Sequence, residues 1–152
     1  MSHKQAEKLE LAELTGMLHT WCQKLGTLPP KLKLCGRRKV AAYTYTRTIK
    51  GLYNQPLTIA LPKKYTAEKR RMSLIHELAH HVDFIMQARV ILNNSFGENT
   101  QFRTINLRHD LRFYRCLLCV IDASLGDREK YCWEKEYPTI KAIGIAYMKK
   151  SH

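Results

Sequence analysis

The chain has 152 residues, 45% of them apolar and 26% charged, which suits one domain with a packed core and excludes a disordered polyelectrolyte. Its 26 lysines and arginines against 13 acidic residues leave a net charge of +13, a field that favours polyanions. The first ten residues lack the apolar stretch of a secretory signal and no run reaches the length of a membrane span, so the expectation is an intracellular protein with no membrane partner, whose five cysteines are free thiols.

Leu9, Leu11, Leu14, Met17, Leu18, Trp21 and Cys22 recur at helical spacing and predict an amphipathic helix over about 4–24, ended by Gly26 and Pro29-Pro30. Lys31 to Cys35 and Lys39 to Ile49 read as strands, the second alternating and rich in threonine and tyrosine. A turn at Gly51 to Gln55 and a third strand from Pro56 to Leu61, closed by Pro62, complete a sheet region over about 31–61. Thr66 is the N-cap of a long helix over about 66–92. A loop at 93–101, a short strand from Phe102 to Leu107 and a helix over about 109–125, broken at Gly126, follow. A final helical region at 128–150 is interrupted by Pro138. There is no internal repeat. The expected fold is α+β, one domain over 1–152, with a small mainly antiparallel sheet packed against helices.

The long helix contains His76-Glu77-Leu78-Ala79-His80, an H-E-x-x-H run. Residues four apart lie on one helix face, so both imidazoles can reach a single ion at the roughly 2.0–2.1 Å of zinc–nitrogen bonds. Glu77, beside them, is placed to take a proton from water polarised by that ion. A chance pattern on a surface helix would simply face water. Here Leu74, Ile75, Leu78, Ala79, Val82, Ile85 and Met86 recur at the spacing of a buried face, so the histidines enter a core where polar groups need partners. One Zn2+ and metal-assisted hydrolysis are the expectation.

A catalytic zinc takes three protein ligands and keeps one position open. Asp83 would complete H-E-x-x-H-x-x-D, but the apolar periodicity continues to Val90, which favours a solvated or supporting carboxylate. Glu98 would serve only if the loop Asn93 to Asn99 folded back over the helix. His109 is the best placed, because it opens a second apolar segment after an insert long enough for the chain to return. His81 is rotated about 100° from His80 and is expected to face solvent or a supporting partner.

Two strands, then a helix with His76-Glu77-Leu78-Ala79-His80, then His109-Asp110-Leu111-Arg112-Phe113 resemble the SprT-like zinc metalloproteases, over roughly residues 10–125. In that family the later motif reads His-Gly-x-x-Phe, with glycine where this chain has Asp110. The wider resemblance is to the zincin superfamily, which also contains the ImmA/IrrE-type regulatory proteases. The SprT-like resemblance implies a zincin-like fold, zinc held by His76, His80 and His109, Glu77 as general base, and a protein or peptide substrate associated with DNA. The zincin resemblance implies that an extended substrate pairs with the strand Leu57 to Leu61. Tyr114 and Arg112, near His109, are candidates to stabilise the oxyanion. A regulatory protease with one specific target, or a zinc-binding module without turnover, are the alternatives.

The charge bears on partners. Arg37, Arg38, Lys39, Arg47 and Lys50, interleaved with Tyr43, Tyr45 and Tyr53, suit phosphate contact plus base stacking on single strands, although charge runs are also ordinary solvated faces. No base-reading motif is present, so DNA binding is expected to lack sequence specificity, with a nucleoid or nuclear association beside the cytoplasmic one. Cys116, Cys119 and Cys132 invite a second metal, but the apolar neighbours Leu117, Leu118 and Val120 favour core packing.

Overall fold

A computed structural model describes residues 2–53, 55–94 and 103–124. Helix α1 spans His3–Leu25. It opens on a capping box, in which the Ser2 hydroxyl accepts from the Gln5 N–H at 3.2 Å and the Gln5 side chain accepts from the Ser2 N–H at 3.0 Å. It ends at Gly26, whose φ of 70° lies in the left-handed region that a side chain would disfavour. Leu14, Leu18, Trp21 and Cys22 form its buried stripe, while Leu9 stays exposed.

Three strands follow, β1 (Lys31–Cys35), β2 (Ala42–Thr44) and β3 (Thr58–Pro62), in the spatial order β1-β3-β2. The β1–β3 pair is parallel, from Lys31 opposite Thr58 to Cys35 opposite Pro62, and the β2–β3 pair is antiparallel. The sheet is therefore mixed rather than mainly antiparallel, because β3 returns alongside β1 after β2 has reversed direction. β3 lies between two partners, so the substrate pairing expected on Leu57 to Leu61 has no free edge there. Among the described residues the edges belong to β1 and β2.

The predicted strand over Lys39 to Ile49 shortens to three residues. Beyond Tyr45 the chain turns away, with the Thr46 hydroxyl donating to Thr48 O at 3.1 Å, and a 3-10 turn at Lys50–Tyr53 begins where a turn was expected. Gly51 is required here, since an added Cβ would lie 2.8 Å from Thr46 Cβ. The short strand expected at 102–107 reduces, among the described residues, to a bridge between Thr48 and Thr104 and an Ile105 N–H donated to Arg47 O at 2.7 Å.

Helix α2 spans Ala67–Asn94 and α3 spans Leu111–Ser124. Thr66 caps α2 as expected, its hydroxyl accepting from the Lys69 N–H at 3.2 Å. α3 starts two residues after His109 because Asp110 caps it: Oδ1 accepts from the Phe113 N–H at 3.1 Å. The core joins α1 and β3 (Ile59, Leu61) to Leu74, Ile75, Leu78 and Ala79 of α2 and to Phe113, Cys116, Leu117, Val120 and Ile121 of α3. A smaller cluster holds Phe84, Ala88 and Ile105 under Tyr45 and Leu57. The apolar periodicity of α2 overstates burial at its far end, where Met86, Val90 and Leu92 are exposed. On the outside Glu7 pairs with Lys63 at 3.1 Å and Glu10 pairs with Arg70, fastening α1 to the β3–α2 junction.

The molecule is thus α+β as expected, and among the described residues no helix is long and apolar enough to cross a membrane. The loop expected at 93–101 lies outside the described residues from 95 on, as does the helical region at 128–150.

Candidate metal centre

His76 and His80 project from the middle of α2, where Leu74, Ile75, Leu78 and Ala79 are fully buried and hold the helix against the sheet and α3. His109 comes from the segment before α3. Its Nε2 lies 3.2 Å from His76 Nε2 and 3.2 Å from His80 Nε2. The three side chains form a group able to hold a metal ion, each offering one ligand atom.

The donor set fits zinc. Tetrahedral ligands at zinc–nitrogen distances of about 2.0–2.1 Å are roughly 3.3–3.4 Å apart, close to the 3.2 Å spacing here. Two bare ring nitrogens at this distance repel unless a proton or a cation lies between them. A proton joins only one pair, whereas a cation satisfies all three lone pairs together. Burial lowers the pKa of His76, with the neighbouring His109 charge adding to it, and lowers that of His80 to about 4 by burial and then by His76 and His109. Both shifts favour the neutral ring, the state that ligation needs.

Phe113 explains the aromatic four residues after His109. It is fully buried, and its ring centroid lies 4.9 Å from His76, 4.3 Å from His80 and 4.8 Å from His109. It is the floor on which the three imidazoles rest. Asp110, by capping α3 at the Phe113 N–H, fixes both that floor and the approach of His109.

Glu77 is 8% exposed beside this cluster. Burial pushes its carboxyl up to about 7, against a smaller downward pull from the Arg38 guanidinium. A carboxyl poised near neutral pH suits a general base. His81 does not face solvent: it is 2% exposed, with Nε2 at 2.7 Å from Leu28 O and Nδ1 at 2.7 Å from Tyr43 Oη. The carbonyl can only accept, so the proton sits on Nε2 and Nδ1 accepts from the Tyr43 hydroxyl. The pair ties α2 to β2 and to the α1–β1 connection. A histidine rotated off the ligand face had no sequence signal for this role, because its partners come from 38 and 53 residues away.

Of the other third-ligand candidates, Asp83 is buried in α2 outside the histidine group, and Glu98 lies outside the described residues. Arg112 is engaged with Asp110 at 3.9 Å, and Tyr114 packs edge-on to Phe113. Arg37, Arg38 and Lys39 are exposed in the β1–β2 loop, and Arg47 and Lys50 are exposed further on. Tyr43 and Tyr45, expected as stacking platforms, are half-buried: they stack on each other at 6.0 Å, and Tyr45 packs on Phe84 while its hydroxyl accepts from the Leu107 N–H at 3.4 Å. The side chain of Tyr53 lies outside the described residues. Cys116 is buried, and burial pushes its thiol up to about 12, with Asp83 and Cys119 adding to it; Cys119 is exposed rather than core-packed, and Cys132 lies outside the described residues. Compared with protein-family models, curated proteins and solved structures, the chain matches none.

Proposed function

We propose that the protein is a zinc-dependent metalloendopeptidase of the SprT-like kind, with a zincin-like arrangement of sheet and H-E-x-x-H helix. The observation that carries the reading is the convergence of His76, His80 and His109 through their Nε2 atoms beside a buried carboxylate raised to about 7. His76, His80 and His109 would hold the zinc, which when bound would supply a Lewis acid for the scissile carbonyl and the attacking water. Glu77 would take the proton of the attacking water and pass it to the departing amine nitrogen. Phe113 keeps the three imidazoles oriented and dry on their inner side. β2 is the edge strand that packs on α2, which makes it the strand to which an extended peptide would add.

A buried glutamate favours turnover over a purely structural site, which has no use for a base. Association with DNA is supported by the net charge of +13 and by exposed Arg37, Arg38 and Lys39, whose loop brings the Arg38 charge to bear on Glu77. With Tyr43 and Tyr45 engaged internally, that association is expected to be phosphate-driven, without a stacking preference for single strands.

The test is metal analysis paired with cleavage of an unfolded protein substrate. One zinc per chain is expected, lost in His76→Ala, His80→Ala and His109→Ala. Glu77→Gln should keep the metal and lose at least about 10²-fold in cleavage rate. Wild-type cleavage by Glu77→Gln would remove the mechanism, and wild-type zinc affinity in His109→Ala would remove the ligand set.

A further inference from the structure

Two buried polar atoms next to the histidine cluster have no hydrogen-bond partner among the described residues: His80 Nδ1 and Asp83 Oδ2. They are of opposite kind. His80 points Nε2 into the cluster, and a neutral ring that ligates through Nε2 carries its proton on Nδ1. His80 Nδ1 is then a buried donor, while Asp83 Oδ2 is a buried acceptor on a residue that is 2% exposed. The two residues stand three apart on α2, neighbours on the helix surface, about 4.5 Å apart along its axis.

We propose that Asp83 is a positioning residue for His80, its Oδ2 accepting the Nδ1–H of that ring when the three-histidine site is loaded. The inference rests on the metal-binding reading given above. A carboxylate on the far nitrogen of a ligating histidine fixes the tautomer and the rotation of the ring and raises its basicity. The pair is not hydrogen-bonded in the structure.

The surroundings of Asp83 suit that task. Its Oδ1 accepts from Gln87 Nε2 at 3.2 Å, and the same nitrogen donates to Asn106 O at 2.9 Å. One oxygen is thus anchored and the other is left for His80. The anchor also reaches the segment that delivers His109, three residues beyond Asn106, so Gln87 links the carboxylate to both halves of the site. Asp83 and Arg112 line the same groove between α2 and α3, which gives the carboxylate a neighbouring guanidinium. A buried carboxylate with an orphaned oxygen is a standing cost to the fold. A donor that becomes obligatory only when His80 ligates accounts for its retention.

The test measures zinc affinity by competition with a chromophoric chelator, together with the unfolding temperature of the zinc-free protein, for wild type, Asp83→Leu and Asp83→Asn. Asp83→Leu is expected to weaken zinc binding by about 10–100-fold while the zinc-free protein keeps or raises its unfolding temperature. A merely structural carboxylate would lower that temperature instead. Asp83→Asn keeps an acceptor oxygen and should lose less affinity, and it carries the test if Asp83→Leu fails to fold. In the zinc-loaded wild type the His80 Nδ1 proton should appear as a protected, downfield resonance that disappears in Asp83→Leu and moves upfield in Asp83→Asn, whose amide oxygen is a weaker acceptor. Zinc affinity within twofold of wild type in the folded variants overturns the positioning role and leaves the metal site standing. Absence of zinc binding by the wild type overturns both.

Discussion

Replacing Asp110 by alanine should damage stability and the metal site together. The Asp110 Oδ1 accepts from the Phe113 N–H at 3.1 Å at the start of the 14-residue α3, and its negative charge sits at the positive end of the helix dipole. Loss of a cap of this kind costs roughly 0.5–2 kcal/mol, and the lost charge–dipole attraction adds about 0.3–1 kcal/mol. The ion pair to Arg112, 3.9 Å long with both side chains exposed, contributes little more. A net loss of roughly 1–2 kcal/mol lowers Tm by about 2–8 °C in a protein of this size. The frayed turn is the one that holds Phe113 under all three imidazoles and follows directly on His109. If most of that energy couples to ordering of the site, zinc affinity falls by a factor of roughly 5–30. Thermal unfolding followed by circular dichroism, with zinc titration of the same samples, gives both numbers. Asp110→Asn, which caps nearly as well, should lose only the charge–dipole part, about 0.3–1 kcal/mol, and keep most of the affinity. An Asp110→Ala protein that melts with wild type, or an Asp110→Asn protein that behaves like Asp110→Ala, would refute the capping argument.

Tyr43→Phe leaves His81 Nδ1 as a buried acceptor without its hydroxyl donor, and equilibrium urea unfolding should register a loss of about 1–3 kcal/mol. Leu78→Ala, at a fully buried position between the two α2 histidines, should cost about 2–5 kcal/mol in the same assay. Burial raises the Asp83 carboxyl above its ordinary value of 3.8, so the folded state holds that proton more tightly and the ionised group costs stability as pH rises past 3.8. Zinc-free Asp83→Asn should therefore be more stable than wild type near neutral pH, with the advantage vanishing as pH falls to the unfolded carboxyl's range; a pH-independent difference in urea midpoint would contradict the shift. Charge reversal at Arg37, Arg38 and Lys39 together should weaken DNA binding across sequences and flatten its salt dependence while leaving zinc affinity unchanged, as read by fluorescence anisotropy.

Much of this site is local in origin. The four-residue interval between His76 and His80 sets both on one face of any α-helix, and the apolar positions at 74, 75, 78 and 79 decide that this helix enters the core. Thr66 and Gly26 mark helix ends through the chemistry of their own side chain or lack of one, and the structure has α2 capped by Thr66 and α1 ended at Gly26. His109 could be ranked above Asp83 and Glu98 from its place at the head of an apolar segment. Its Nε2 meeting the other two at 3.2 Å, however, depends on α3 packing against α2. Asp110 looked like a departure from a glycine, and only the start of α3 reveals it as a cap. His81, Tyr43 and Tyr45 carry no local mark that separates a surface role from a buried one. Their partners lie 38 to 62 residues away, and which polar groups end up facing one another is decided by packing. The same holds for the sheet: alternation identifies strands one at a time, whereas the central position of β3 follows from how the segment after β2, through the 3-10 turn, carries the chain back between β1 and β2. Periodicity and capping act within a few residues and are readable from the chain alone. Convergence of side chains from distant segments is a property of tertiary packing, and the candidate metal centre needed both.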